Sequence, residues 1–433
     1  MPRNHDRRTS DLLTARSKDL SANEPMFRTS KFGATKRRVE GLTHALQNYL
    51  GLGWRAHHRY VYLRQRTTFG HIAARRASLL LASATILSVA YTTVSRAASP
   101  SPAPDGRPIS ALPAVIETRA LPDPGPNGFW DYVSVDTDVQ RLFIGAEDGV
   151  MSVDLTTGAA KLLVPERLVH TVLALPEGRA LSTNGESDTA TVFDARSGHV
   201  FGSVPTGKHP DGAVYDAATG LVLVMDAMGG DITLIDPRAV QPIGRIDLGT
   251  QPEAAAGDGK GTVYVNLARK DEIAVVDVAS RSVVARYRLP DCHGPTGLAL
   301  DHTAGLLVSA CEDSAVVLQA ALGRLVTYLT IGGGADAVIF DPRRKTFFVP
   351  CGDDGSLVAI AERPGGAPKV VATIKTAQRA RTGAIDLATG RLYLPTADAS
   401  GDTVEIEGFQ APRSRPGTFR LVVVATEGVR PAN

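Results

Sequence analysis

The chain has 433 residues, 43% of them hydrophobic, with 42 glycines and 27 prolines, which is enough for a large core and rich in turns. The formal net charge of +2 hides a split: residues 1–76 hold 16 of the 47 basic residues and 5 of the 45 acidic ones, leaving 31 Lys+Arg against 40 Asp+Glu in the remainder. An acidic folded part works against binding by phosphate neutralisation, so nucleic acid is excluded as the partner and a cationic or metal-containing one is favoured.

Residues 1–74 are polar, Arg-rich and without sustained periodicity, which predicts disorder around one short helical stretch from Val39 to Leu52. Arg75-Arg76 then precede an apolar run from Ala77 to Ala90 and the small residues Ser95-Arg-Ala-Ala98. That order is a secretory signal over 75–98, and the run is too short for a membrane span. Its position predicts a true initiator just upstream of Arg64; the alternative is a cytoplasmic basic tail with an uncleaved anchor. Either way the folded part is expected to be exported, to the periplasm or outside the cell. Residues 99–113 read as a proline-bearing linker, and residues 114–428 as the folded domain.

Val115 to Leu121 has the pattern of an outer strand. From there a hairpin recurs seven times, most plainly as Thr262-Val-Tyr-Val-Asn266, a polar turn, and Glu272-Ile-Ala-Val-Val-Asp277. The first run alternates, as a half-buried strand should, and the second ends in a turn-forming aspartate. Further copies pair Arg141–Gly145 with Val150–Asp154, Leu221–Met225 with Asp231–Asp236, Thr346–Pro350 with Ser356–Ile360, and Arg391–Pro395 with Thr403–Ile406. Upstream of each lies a small-residue strand, starting at Asp131, His170, Asp211, Glu253, Thr296, Asp336 and Arg381, 39 to 45 residues apart. A fourth strand follows each hairpin, for example Ser282 to Leu289. Seven four-stranded repeats of that period predict an all-β, seven-bladed β-propeller. Phe419 to Val424 also reads as an outer strand, so either terminus, or both, is expected to close the last blade and hide its edge.

Val263-Tyr-Val-Asn266 through Val276-Asp277 to Val283-Val-Ala285 resembles the YVTN-type β-propeller repeat of the YncE-like family, over roughly residues 112 to 425. The resemblance implies the fold and says little of function, since one blade type carries many activities. Blades five and six depart from the motif at Ala310-Cys311 and Pro350-Cys351.

Innermost strands line the channel of a propeller, so Asp131, His170, Asp211, Glu253, Thr296, Asp336 and Arg381 are expected to form a ring at one mouth. The four carboxylates, Asp131, Asp211, Glu253 and Asp336, would repel one another there unless a cation or Arg381 compensates. Oxygen ligands with one imidazole suit calcium or magnesium. Two functions follow: a binding module for a small molecule, metal or protein partner, or a divalent-metal-dependent lactonase or esterase using His170, Asp131 and Asp211. A structural role is the third reading, in which strand-start polar groups cap neighbouring turns. The protein is expected to be a monomer. His209 and His293 lie on linkers near the same mouth. Of the three cysteines, Cys292 and Cys311 are expected to pair after export and Cys351 to stay free. Gly332-Gly333-Gly334 enters a strand and is no phosphate loop, and no CxxCH haem motif occurs.

Overall fold

The computed structural model describes residues 114–406 and 409–426; the basic segment 1–74, the signal-like segment 75–98, the linker 99–113 and residues 427–428 lie outside the described residues. Within them are seven four-stranded antiparallel sheets, one additional hairpin and a single three-residue 3₁₀ turn. The inner strands pack side by side in chain order, and the last of them, Ala384–Asp386, packs against the first, Trp130–Asp136. The sheets therefore form the blades of a closed seven-bladed propeller around a central channel.

Blades pack face to face, and this changes what the middle strands look like. Thr262–Leu267 is buried from Val263 onward rather than alternating, because side chains on both faces meet a neighbouring blade. Leu223, Met225, Ile232 and Leu234 of blade three interleave with Val263, Val265, Ala274 and Val276 of blade four in one apolar cluster. Burial of this kind, worth about 25 cal/mol per Å² of apolar surface, drives the assembly. Turn aspartates at strand ends hold the corners: Asp341 Oδ1 accepts from the amides of Arg343 and Arg344, and Asp194 Oδ1 from those of Arg196 and Ser197.

Blade seven uses both termini. Its order from the axis outward is Ala384–Asp386, Arg391–Thr396, Arg420–Ala425 and Ala114–Ala120. The first strand thus takes the outer place. The last strand takes the third place, not the outer one, and displaces Thr403–Ile406, which the sequence had paired with Arg391–Pro395. That segment belongs instead to Ala399–Ile406, which folds back on Phe409–Ser414 as a separate hairpin. The exchange follows polarity. The third place is buried on both faces and takes Leu421 to Val424, whereas Asp402, Thr403 and Glu405 stay exposed. Trp130, Leu142 and Ile144 of blade one then pack on Tyr393, Leu421 and Val423 of blade seven, closing the ring.

Candidate functional site at the channel mouth

The first four inner strands share an irregularity that shapes the site. Register slips between Trp130 and Val133, Val169 and Val172, Pro210 and Ala213, and Pro252 and Ala255. Each bulge releases from the ladder the residues holding Asp131, His170, Asp211 and Glu253, and such bulges re-aim side chains. In blades five to seven the regular inner strand starts later, at Leu298, Ile339 and Ala384, so Thr296, Asp336 and Arg381 precede it. Gly145 contributes to the positioning: a Cβ there would collide with the His170 carbonyl.

A cavity of about 700 Å³ opens at this mouth, with Asp131, His170, Asp211, Glu253 and Asp336 in its wall. His170 Nδ1 lies 2.6 Å from Asp131 Oδ2 and 3.6 Å from Asp211 Oδ1, and one ligand-capable atom from each of the three residues lies within 4.8 Å of the others. Thr296 does not join them; its hydroxyl donates to Ala335 O at 2.7 Å and ties blade five to blade six. Arg381 borders a neighbouring cavity beside Trp130 and acts as a counter-charge, with Nε 2.8 Å from Asp336 Oδ2 and Nη2 3.9 Å from Asp131 Oδ1.

The electrostatics follow from burying several carboxylates side by side in a narrow place. Burial, reinforced by Asp211 and Asp336, pushes Glu253 up to about 9. Burial pushes Asp211 up to about 7, opposed by His170 and reinforced by Asp131 and Asp336. Asp336 is raised by burial despite the Arg381 guanidinium. The side chains of Asp211 and Asp336 nonetheless keep 14% and 23% of their surface, so they face the cavity rather than the protein interior.

Several participants escape a ring argument. Tyr132 lines both this cavity and a deeper one along the channel, formed by Val133, Thr171, Ala213 and Ala254 among others, and so floors the mouth. Burial and the surrounding carboxylates, Asp211 foremost, hold its phenol well above the usual tyrosine range and therefore neutral. Arg269 Nε donates to Gln251 Oε1 and Gln251 Nε2 to Glu253 Oε1, at 2.8 and 2.7 Å, a chain that fixes Glu253 from outside. Phe129 stands edge-on to His170, with ring centroids 5.3 Å apart. The added hairpin lines two cavities beside this one, anchored where Arg379 donates to Pro412 O and Ser414 Oγ to Gly128 O. Sequence spacing gave no sign of these: Tyr132 sits on an inner strand but at a position not shared by the ring residues, and the others come from turns and segments beside the strands and from the one excursion outside the repeat.

Two features of the sequence have structural roles. Asn266, the asparagine of the YVTN-like motif, is buried, donates to Thr296 O and Gly297 O, and accepts from Ser309 Oγ, locking blade four to blade five. Cys292 and Cys311 form a disulfide with Cα atoms 5.4 Å apart, and Cys351 is a buried free thiol.

No protein-family model matches the sequence, and no curated protein does. Solved structures do resemble the fold. A chain of the mitotic checkpoint complex superposes with a TM-score of 0.57 at 14% identity, covering 71% of this chain and 96% of its own length. The WD40 repeats of RRP9 give 0.61 at 10% identity, over 73% and 99% respectively. Hydrazine synthase of Kuenenia stuttgartiensis gives 0.54 at 15% identity, over 63% and 92%. At these identities the likeness is one of fold, a propeller that serves many unrelated functions.

Proposed function

We propose that this protein is an exported binding module of the YncE-like type that holds a divalent cation at the channel mouth. In this reading Asp131, His170 and Asp211 are the first ligands, with Glu253 and Asp336 close by. The observation that carries it is the convergence of three ligand-capable groups from three consecutive blades within 4.8 Å, on the wall of an open cavity. An ion there would offset the burial, and after it the mutual repulsion, that raise the neighbouring carboxylates. The cavity leaves room for a small molecule or a protein side chain to reach the ion. The signal-like segment and the disulfide support export.

Calorimetric titration of the purified protein with Ca²⁺, Mg²⁺ and Mn²⁺ tests the proposal. Binding that disappears in an Asp131→Asn, Asp211→Asn double variant with undiminished thermal stability supports it, and no heat with any of these three or with Zn²⁺ removes it. A hydrolase reading draws on one observation, the 2.6 Å contact that orients His170 through Asp131, which is the arrangement a general base needs. Turnover of a lactone and ester panel by the cation-loaded protein, lost in His170→Gln, would move the assignment from recognition to catalysis.

A further inference from the structure

We propose that His209 is a second imidazole of the mouth site, and that the site therefore selects a borderline transition ion such as Zn²⁺, Ni²⁺ or Cu²⁺ over Ca²⁺ and Mg²⁺. The inference rests on the cation reading above and specifies which ion that site takes. Counting ring positions alone gives one imidazole among carboxylates, the donor set of a hard ion. The folded chain brings a second ring to the same wall.

His209 lies just before Pro210-Asp211 and lines the cavity together with His170. The two rings stand edge to face with centroids 5.1 Å apart. His209 lies outside the three residues whose ligand atoms fall within 4.8 Å of one another, so it joins an ion beside Asp131 and Asp211 by rotation of its side chain.

The backbone around His209 is built for this presentation. Its φ of 58° is in the left-handed region, uncommon for a residue with a side chain. Three contacts keep it there. The amide of His209 donates to Asp188 Oδ1 at 2.8 Å, its carbonyl accepts from Ala227 N at 2.9 Å, and Asp188 is itself paired with Lys208. Pro210 follows and pairs in the sheet with Asp226, fixing the strand behind it. A left-handed residue costs on the order of 1 kcal/mol and persists where surroundings over-determine it. Here the conformation presents an imidazole to the cavity wall beside the His170 ring.

Nitrogen donors change the ion preference. Imidazole suits Zn²⁺, Cu²⁺ and Ni²⁺, whose affinities for mixed nitrogen and oxygen sites exceed that of Mn²⁺, while Ca²⁺ and Mg²⁺ favour oxygen alone. Two imidazoles with two carboxylates form such a mixed set.

The test uses the full folded protein and the variant His209→Asn, since asparagine accepts the left-handed backbone and removes the imidazole. Circular dichroism and thermal melting serve as the folding control, and His209→Gln, which is nearer in length, is a second variant. Calorimetry should give Zn²⁺ or Ni²⁺ an affinity at least about 100-fold above that for Ca²⁺ in the wild type, and both variants should lose roughly 10- to 100-fold for Zn²⁺ with no change for Ca²⁺ or Mn²⁺. Electron paramagnetic resonance of the Cu²⁺-loaded protein should resolve two coupled nitrogens in the wild type and one in the variants. Wild-type protein that binds cations with Asp131 and Asp211 yet shows a single nitrogen, or an unchanged Zn²⁺ affinity in both variants, overturns this inference and leaves the cation reading standing. Wild-type protein that binds no cation overturns the cation reading itself.

Discussion

Glu253 gives the sharpest quantitative test of the crowded mouth. Replacing it with glutamine keeps its size and its bond from Gln251 Nε2 but removes the ionisable proton. Its ordinary value is 4.5 and the folded protein raises it to about 9, through burial first and Asp211 and Asp336 next. The sign follows from linkage: a carboxyl raised on folding contributes stability that is fully present below pH 4.5 and is lost as the pH climbs toward 9. At pH 7 the unfolded chain has released this proton and the folded chain has not. At about 1.4 kcal/mol per pH unit, that difference costs the native state about 3 kcal/mol. Glu253→Gln should therefore match the wild type near pH 4.5 and become progressively more stable above it. For a fold of this size the gain at pH 7 corresponds to a rise in melting temperature of about 4 °C. Melting curves at pH 4.5, 7 and 8.5, with a chelator present to keep the site free of metal, make the measurement. A variant separated from the wild type by the same amount at all three values, or less stable at pH 8.5, would refute the account of the mouth as a place where ionisation is suppressed.

Three further outcomes are expected. Gly145→Ala drives a methyl into the His170 carbonyl, so it should destabilise by about 1 to 3 kcal/mol in urea unfolding and weaken cation binding; wild-type behaviour in both would show that His170 is not held from this side. Cation binding should strengthen from pH 6 to pH 9 and expel protons, because Asp211 is raised to about 7 and Glu253 to about 9; calorimetry in two buffers of different ionisation heat reads the proton count, and a count of zero contradicts the assignment. Asn266→Leu takes the side-chain partner from the Thr296 carbonyl and the Ser309 hydroxyl, while Gly297 O keeps Ala310 N, and should cost about 2 to 4 kcal/mol while leaving cation affinity unchanged; a lost affinity with intact stability would assign Asn266 to the site instead.

The seven-fold repeat was legible because its signals are local: an apolar run, a turn aspartate and a second run, returning every 39 to 45 residues. The paired middle strands follow from that pattern, although face-to-face packing buries both sides of Thr262–Leu267, which alternation alone would leave half exposed. Pairing at the end of the chain is not local, and there the reading went astray. Thr403–Ile406 has the spacing of a partner for Arg391–Pro395, but a place buried on both faces goes to the wholly apolar Leu421–Val424. A hint was available, since Ile273–Val276 and its counterparts carry no exposed polar residue. Equivalent sequence positions gathered Asp131, His170, Asp211, Glu253 and Asp336 around one cavity. They did not reveal that Thr296 spends its hydroxyl on Ala335; His209, read from its linker position as near this mouth, does line the cavity, but its left-handed backbone was not visible in the sequence. Those outcomes depend on bulges and turn conformations, which residue identity constrains weakly.

Completing the last blade with the first and final segments of the domain has a consequence for how the molecule comes into being. A ribosome must release Arg420–Ala425 before the disc has its seventh sector, so blades one to six emerge with an open flank on each side. Until then the apolar surfaces of Trp130 and Leu142 have no counterpart in Leu421 and Val423. A nascent chain still lacking that clasp therefore exposes apolar sheet faces that the finished disc buries.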